Sequence, residues 1–353
     1  MDSKTRSGKR IAPNRREFLA ATAAAAGMLA LPRSAQASSD VVVGTWGGDY
    51  QQLLRDHIEV AALKDAGVNV IYDVGDSDSR MAKVAAQRML PRGTTDVQCF
   101  DSIKAYSLRL AEALEPLDPA QIPNWQNLIE VTRDQYLLPQ IISPQVILYD
   151  PAQTSSPAAD LDDLLKPEYK GKFGFVASNY LYLIIGGSIV KTGTPSDFEA
   201  GKAFCEELNA NGMKLYPQVD IMAQAFQSGE IEQGIIWQAR GNMWEDAGVK
   251  LKSVLPAKGT VLYTSGMVMP KNAPNKEGAY KYLNGVISEV AQRGFALKMG
   301  YAPAIMDAGM TPEQKARYAL PTDGVKLFNP DLEKMSPIIS ELFDWWKKSI
   351  ERA

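Results

Sequence analysis

The side chains best suited to chemistry in this chain stand at the ends of predicted strands. The segment 232–237 is a strand candidate that ends at Trp237, and Arg240 follows three residues later. An indole offers a flat apolar wall, and a guanidinium can hold a carboxylate by paired hydrogen bonds. Arg240 could instead pair with Glu245 or Asp246 on the outer surface, and the sequence leaves both interpretations open.

Two further candidates follow strands near the amino terminus. The runs at 41–46 and 95–100 predict strands that end at Trp46 and Asp101. Open α/β sheets bind ligands outside the carboxyl ends of their strands, so both side chains are expected on such an edge. Asp101 could neutralise an ammonium group, or it could cap a helix that begins before Ile103.

Catalytic motifs are absent from the sequence. His57 is the only histidine, and it lies in a helical run with charged neighbours, which favours a surface helix position over a triad or a histidine-rich metal site. The glycine-rich stretch 44–48 does not have the spacing of a dinucleotide-binding loop, and the chain has no nucleophile elbow or P-loop. We therefore predict no enzyme, no cofactor and no metal, although a hydrolase that uses carboxylates alone stays open.

Strand-like runs alternate with helix-period segments along the whole chain, which predicts an α/β fold with largely parallel sheets. Helices are predicted over 50–66 and 78–90, and a second α/β block begins near 146. In that block a strand at 173–176 precedes Ser178 and Asn179, which are placed to cap the next helix.

The first 37 residues have the pattern of an export signal. A basic region with Lys4, Arg6, Lys9 and Arg10 lies ahead of an apolar stretch at 19–31, and the segment 14–19 resembles the twin-arginine motif. The stretch is too short to span a membrane, and the small residues at 35–37 suit a signal peptidase. We expect export by the twin-arginine translocase, cleavage near Ala37 and a periplasmic location.

Removal of this segment deletes seven basic and two acidic residues, so the formal charge changes from −3 to −8. A nucleic-acid partner is therefore not expected, because phosphate binding requires clustered basic side chains. The remaining 316 residues suffice for two lobes, each with its own core. Cys99 and Cys205 could form a disulfide, but two separately buried thiols are favoured because both have apolar neighbours.

Several motifs together resemble the spermidine/putrescine-binding family of receptors for bacterial ABC importers. Each motif alone is weak, whereas their order and spacing over about 41–303 are specific. They lie at 166–172 (Lys-Pro-Glu-Tyr-Lys-Gly-Lys), 234–237 (Gly-Ile-Ile-Trp), 269–279 (Met-Pro-Lys-Asn-Ala, then Asn-Lys-Glu-Gly-Ala) and 299–303 (Met-Gly-Tyr-Ala-Pro).

The resemblance implies a two-lobed type II periplasmic binding fold with the ligand in the cleft between the lobes. On that pattern the first lobe comprises 39–145 and 267–310, and the second comprises 146–266 and 311–353, with the carboxyl-terminal helices packed on it. It also implies a monomer that binds a small-molecule solute and is recognised by the permease subunits of an importer.

The family's cleft is lined by aromatic and acidic residues, and this chain keeps only the aromatic ones. Trp46, Trp237 and Tyr301 match aromatic positions of the family, and Tyr263 falls where the family has tryptophan. The family's acidic pair would fall near Ser178 and Leu181, and a third acidic position falls on Ser265. The resemblance thus implies a binding site with most of the countercharge for a polyamine missing.

Aromatic walls with one candidate cation and one candidate anion suggest a compact carboxylate or zwitterion, such as an ω-amino acid or a betaine. Arg240, with Ser178 or Asn179, would hold the polar end of this ligand, and the predicted binding residues are completed by Trp46, Asp101, Trp237, Tyr263, Ser265 and Tyr301. A polyamine receptor, an extracytoplasmic enzyme and a chemosensory adaptor remain alternatives.

Overall fold

A computed structural model describes residues 40–321 and 324–352. The predicted signal segment at 1–37 lies outside the described residues. The strands are β1 (Asp40–Thr45), β2 (Asn69–Val74), β3 (Val97–Asp101), β4 (Leu114–Glu115), β5 (Leu138–Tyr149), β6 (Phe173–Val176), β7 (Lys214–Tyr216), β8 (Gln233–Trp237), β9 (Lys252–Val254), β10 (Thr260–Pro270), β11 (Ala302–Pro303) and β12 (Leu327–Phe328).

Helices connect most of these strands. The α-helices are α1 (Asp49–Leu54), α2 (Ser77–Gln87), α3 (Ser102–Leu110), α4 (Tyr180–Thr192), α5 (Phe198–Ala210), α6 (Val219–Gln227), α7 (Gln238–Asp246), α8 (Lys276–Val286), α9 (Glu289–Met299), α10 (Pro312–Tyr318), α11 (Leu332–Met335) and α12 (Ile339–Ser349). A π-helix (Arg55–Val60) follows α1, and 3₁₀-helices span Pro119–Gln121, Pro123–Asn127, Glu130–Thr132, Leu161–Leu165, Pro167–Tyr169, Ala177–Asn179 and Ser336–Ile338.

One curled sheet runs through the described chain in the order β2-β1-β3-β10-β5-β8-β6-β7. Strand β1 pairs in parallel with β2 and β3, and β6 pairs in parallel with β7 and β8. The central pairs β3–β10, β10–β5 and β5–β8 are antiparallel. The prediction of a largely parallel sheet is therefore correct only for the two outer thirds. We call the half built on β1–β3 the first lobe and the half built on β6–β8 the second lobe.

Two long central strands, β5 and β10, belong to both lobes. Sequence analysis predicted only the end of β5 because Pro139 and Pro144 interrupt its apolar run, and proline usually marks a strand end or an irregularity. The β5–β10 register shifts between Ser265 and Gly266. A Cβ atom on Gly266 would lie 2.0 Å from the carbonyl oxygen of Leu138, so this close approach of the two strands requires glycine.

Each lobe has its own apolar core. Buried side chains of β1, β3, α8 and α9 form the first core, and those of β6, β8, α4 and α5 form the second. Leu342 and Trp346 of α12 are buried in the second core. Cys99 lies in the first core and Cys205 in the second, and both thiols are free, which confirms the prediction of two separately buried cysteines.

Local structure departs from the sequence-based expectations at two places. The helix predicted over 50–66 changes to a π-helix after Leu54, and the amide of Leu63 donates to the carbonyl of Ile58, five residues earlier. Asn179 is the N-cap of α4 but its side chain makes no capping bond, because the chain enters the helix from a 3₁₀ turn. None of the described helices is both long enough and apolar enough to cross a membrane.

Candidate functional site

Four aromatic rings from different elements make a continuous row. Tyr182 (α4) meets the ring of Trp237 edge to face, with centroids 4.6 Å apart. Trp237 lies 5.4 Å from Tyr263 (β10), which lies 6.3 Å from Tyr301. We call these four residues the aromatic row. Tyr182, Trp237 and Tyr301 are 7%, 6% and 5% exposed, so the row is a nearly closed apolar wall in this structure.

Strand ends bring the row together. Parallel strands β6 and β8 end at the same edge of the sheet, so the first turn of α4 and the side chain of Trp237 become neighbours. Tyr263 lies on the shared strand β10. Tyr301 follows Gly300, which ends α9 with φ 72° and whose carbonyl accepts a hydrogen bond from Asn242 Nδ2 of α7 at 2.9 Å. Residues about 120 positions apart therefore share one wall.

Arg240 lies at the Tyr301 end of the row, in the first turn of α7. Its Nη1 donates to Met243 Sδ at 3.5 Å, and no carboxylate of the described residues lies within 4.0 Å of the guanidinium. Glu245 and Asp246, the alternative partners, pair with Arg317 at 3.5 and 2.7 Å. The outer-surface pairing considered for Arg240 is thus wrong, and its charge is left for another partner.

Asp101 lies near the other end of the row. Its Oδ1 accepts hydrogen bonds from the amides of Ile103 and Lys104, both at 3.0 Å, so the helix-cap interpretation is correct. The same carboxylate adds to the rise in the pKa of Tyr182 and Tyr263, behind burial as the main cause, because a nearby negative charge opposes ionisation of a phenol. Its Oδ2 has a long contact of 3.7 Å with Lys104 Nζ. Capping thus occupies Oδ1, whereas Oδ2 faces the Lys104 ammonium at a distance longer than a hydrogen bond.

Trp46 approaches the row through Tyr50. The two rings are edge to face with centroids 5.0 Å apart, and the Tyr50 hydroxyl donates to Gln140 Oε1 at 2.6 Å. Burial raises the pKa of Tyr50, and the nearby Cys99 thiol and Tyr263 phenol add to the rise. Gln140 Nε2 is buried without a protein partner among the described residues. Such a donor requires water or a ligand, because a buried unpaired polar group destabilises the fold.

The other three predicted binding residues occupy different environments. Ser178 is exposed in the 3₁₀ turn before α4, and neither Ser178 nor Asn179 forms a side-chain hydrogen bond to another described residue. Ser265 is fully buried, lies opposite Asp101 in the sheet and donates to the carbonyl of Phe100 at 3.1 Å. Ser265 thus lies next to Asp101, but its hydroxyl donates its hydrogen to a backbone carbonyl of the sheet.

A cavity of about 270 Å³ borders the sequence neighbours of Asp101 and Tyr263. The hydroxyl of Thr264 lines it and is buried without a partner in the described chain. The rest of its polar lining comes from Ser102, Tyr106, Arg109, Thr132, Arg133, Asp134, Asn329, Asp331 and Glu333. Within 40–321 and 324–352, no three His, Cys, Asp or Glu side chains are grouped to hold a metal ion.

A larger cavity of about 570 Å³ lies elsewhere. Its lining includes Ile129, Ile305 and Leu320 but none of the nine predicted binding residues. Ligand sites combine apolar walls with a few convergent polar groups, and in this cavity the charged side chains are limited to Glu130 and Lys315. The aromatic row, with charged groups at both ends, is the better candidate because it combines apolar rings with groups that can hold a polar ligand.

Comparison with known proteins identifies the family of the chain. Residues 60–322 match the sequence profile of a family described as bacterial extracellular solute-binding protein. The chain belongs to this family. The spermidine/putrescine-binding periplasmic protein of Salmonella typhimurium is 25% identical over 332 residues, which cover 88% of this chain and 90% of that protein.

Solved structures share the fold of this solute-binding protein. An ABC transporter structure from Clostridium perfringens superposes with a TM-score of 0.76 at 22% identity, over 88% of this chain and 99% of that one. A GABA receptor superposes with a TM-score of 0.74 at 21% identity, over 88% and 97%. The two-lobed periplasmic binding fold expected from the sequence is thereby confirmed.

Sequence analysis missed two side chains of the candidate site. Tyr182 lies in the helix that follows β6, four positions after Ser178, and extending the search by one helical turn past the strand end would have found it. Arg80 of α2 places its guanidinium carbon 5.1 Å from the centroid of Trp46. Nothing in the local sequence around Arg80 distinguishes it from a surface helix arginine.

The buried tyrosines make the stability of this solute-binding protein depend on alkaline pH. Burial is the main cause of a raised pKa in Tyr50, Tyr72, Tyr180, Tyr182, Tyr216, Tyr263, Tyr282 and Tyr301. Above pH 10 the unfolded chain loses these protons while the folded chain keeps them. The free energy of unfolding should therefore fall as pH rises from about 10, by up to about 1.4 kcal/mol per pH unit for each phenol.

Urea unfolding at pH 8, 9, 10 and 11 measures this dependence. A Tyr263→Phe protein provides the matched control, because it removes one of the titrating phenols and should lose stability less steeply with pH than the wild type. Equal stability at pH 8 and 11 would contradict the prediction.

Proposed function

We propose that this protein is the periplasmic solute-binding component of an ABC importer and that its ligand is a small carboxylate or zwitterion, such as an ω-amino acid or a betaine. Family membership, and the names of the Salmonella and Clostridium proteins, support the transport role. Proteins of this fold include a polyamine-binding protein and a GABA receptor, so the ligand class must come from the side chains of the site.

The observation that carries the ligand class is the distribution of charge along the aromatic row. A guanidinium without a carboxylate partner among the described residues lies at the Tyr301 end, and the Asp101 carboxylate, whose Oδ2 makes only a long contact with Lys104, lies near Tyr182 and Tyr263. The two charges suit the two ends of a zwitterion, with its methylene groups against the rings. A polyamine would instead meet Arg240 with an ammonium group, at a cost in electrostatic energy.

Binding would proceed by closure of the two lobes. The shared strands β5 and β10 provide the connection about which the lobes can rotate, and the rings of the row come from helices and strands on both sides of it. Because Trp237 and Tyr301 are almost fully buried here, a solute would reach them only when the lobes separate. Closure removes water and strengthens the charged contacts, and the permease subunits would recognise the closed form.

The remaining sequence-based expectations complete the proposal. The chain would be exported by the twin-arginine translocase and cleaved near Ala37, and it would act as a monomer. Its first lobe would comprise 39–145 and 267–310, and its second lobe 146–266 and 311–353. The packing of α12 against the second core supports this assignment for the end of the chain, whereas Tyr318 and Leu320 are buried in the first core, which favours placing α10 with the first lobe.

Thermal unfolding against a solute panel tests the ligand class. A ligand that binds only the folded state raises the Tm as its concentration increases. At one hundred times its Kd it adds about 2.7 kcal/mol to the free energy of unfolding. We expect stabilisation of the protein from residue 38 by ω-amino acids, betaines or carboxylates. Stabilisation by putrescine or spermidine, with none by the zwitterions and carboxylates, would contradict the proposal and favour a polyamine receptor.

A further inference from the structure

Arg80 is a buried cation directly behind one wall of the candidate site. The side chain is 3% exposed, and it ties the start of α2 to the end of β3. Its Nε donates to the carbonyl of Gly75 at 3.0 Å, and its Nη1 donates to Gln98 Oε1 and to the carbonyl of Cys99, both at 2.9 Å. Its Nη2 is buried and has no hydrogen-bond partner among the described residues.

The charge of Arg80 has no anion beside it. All of its hydrogen-bond acceptors are neutral, and within the described ranges no carboxylate lies within 4.0 Å of its guanidinium. Asp73, one of the nearer acids, already pairs with Lys83 at 2.7 Å. A guanidinium stays protonated even when burial lowers its pKa. The Asp73 and Asp76 carboxylates act on this guanidinium only from beyond 4.0 Å, so the buried positive charge has no direct ion-pair partner among the described residues.

Two aromatic rings contact this charge. The guanidinium carbon lies 5.1 Å from the centroid of Trp46 and 4.9 Å from that of Phe100. A cation over one face of an indole makes the electrostatic potential at the opposite face less negative. A second cation is therefore attracted less strongly to that face. The two cations would also repel each other across the ring, in surroundings where charges are poorly screened.

We propose that Arg80 determines ligand specificity by making the Trp46 wall unfavourable for ammonium groups and favourable for carboxylate or neutral groups. The inference rests on the proposed function, in which Trp46 faces the solute. It adds a second positive charge to that of Arg240, on the opposite lobe. Neither guanidinium forms an ion pair with a carboxylate of the described chain.

A purely structural role makes a different prediction. If Arg80 only held α2 against β3, its replacement would lower the stability of the protein and weaken the binding of all solutes to the same degree. A specificity role changes the ratio of affinities between a cationic and a zwitterionic ligand of the same length. Putrescine and 4-aminobutyrate are such a pair, because both have four carbon atoms and an aminomethyl group in putrescine replaces the carboxylate of 4-aminobutyrate.

The test compares the Kd of putrescine with that of 4-aminobutyrate by isothermal titration calorimetry. In Arg80→Met the preference for 4-aminobutyrate over putrescine should fall at least about tenfold, whereas Arg80→Lys, which keeps the charge, should retain most of it. Arg55→Met is the matched control, because Arg55 stacks on Tyr72 at 5.7 Å and is exposed on the π-helix. It removes the same charge and should leave the ratio unchanged.

Each result decides the inference. An unchanged ratio in Arg80→Met, or an equal change in Arg55→Met, would overturn it even if the wild-type protein binds 4-aminobutyrate. A wild-type protein that binds neither compound would leave the betaines and carboxylates of the solute panel as the ligands of the proposed function, and an Arg80→Met protein that still binds no putrescine would overturn the inference. If Arg80→Met does not fold, Arg80→Gln replaces it, because the amide keeps a donor for the Cys99 carbonyl, and the same ratio applies.

Discussion

Replacing Trp237 by alanine should raise the Kd of 4-aminobutyrate, or of whichever panel solute stabilises the protein, about thirtyfold. The indole occupies the centre of the aromatic row, between Tyr182 and Tyr263, where a flat ring can cover the methylene groups of a solute. Central aromatic anchors of binding sites typically contribute about 2 kcal/mol or more when truncated to alanine. Calorimetric titration of the purified variant gives the Kd directly.

Trp244 provides a matched control for this change. It is 7% exposed, compared with 6% for Trp237, and it packs on Phe226 of the second lobe at 6.1 Å between ring centroids. Both alanine variants should lose about 3–5 kcal/mol of unfolding free energy, because each leaves a large cavity. Only Trp237→Ala should also bind the solute more weakly, whereas Trp244→Ala should keep the wild-type Kd. Equal Kd values for Trp237→Ala and the wild type would remove Trp237 from the site.

Replacing Arg240 by methionine should raise the Kd of carboxylate ligands by ten- to a hundredfold. A hydrogen bond to a charged group contributes about 1.5–3 kcal/mol, and the described chain offers the Arg240 guanidinium no carboxylate that would compete for it. Stability should change little, because the hydrogen bond that the substitution removes, from Nη1 to Met243 Sδ, is long and weak. Arg240→Lys should restore part of the affinity, because lysine keeps the charge without the paired geometry of a guanidinium.

Arg293 is the control for the charge removed with Arg240. It pairs with Glu289 at 2.6 Å on the surface of α9, and Arg293→Met should leave the Kd of every solute unchanged. The comparison of putrescine with 4-aminobutyrate shows whether Arg240 acts through its charge or only through the shape of α7. If the arginine opposes polyamines, Arg240→Met should improve putrescine binding while it weakens 4-aminobutyrate binding. Loss of affinity for both compounds to the same degree would argue that Arg240 acts only through the shape of α7.

Together the two substitutions separate the wall from the charged end of the site. Trp237→Ala should weaken the binding of ligands of every charge, because the ring would contact their methylene groups. Arg240→Met should discriminate between ligands by the group they carry at one end. A solute that is insensitive to both changes would bind elsewhere, and the apolar cavity near Ile305 would then be the next region to examine.

The sequence by itself determined the order of the elements and several members of the site. The runs that predicted strands at 95–100, 173–176 and 232–237 agree with β3, β6 and β8 to within two residues. This succeeded because a buried strand must be apolar along its length and must end at polar residues. Trp237 and Asp101 could be placed at strand ends for the same reason.

Only the tertiary structure decided which partner each charged side chain has. Glu245 and Asp246 lie closer in sequence to Arg240 but pair with Arg317, about seventy positions away, because α10 packs beside α7. Tyr182, Tyr263 and Tyr301 meet across distant segments, and Arg80 reaches Trp46 through the fold of the first lobe. Local sequence specifies burial and periodicity, whereas the environment of a long side chain depends on which remote segments the sheet brings next to it.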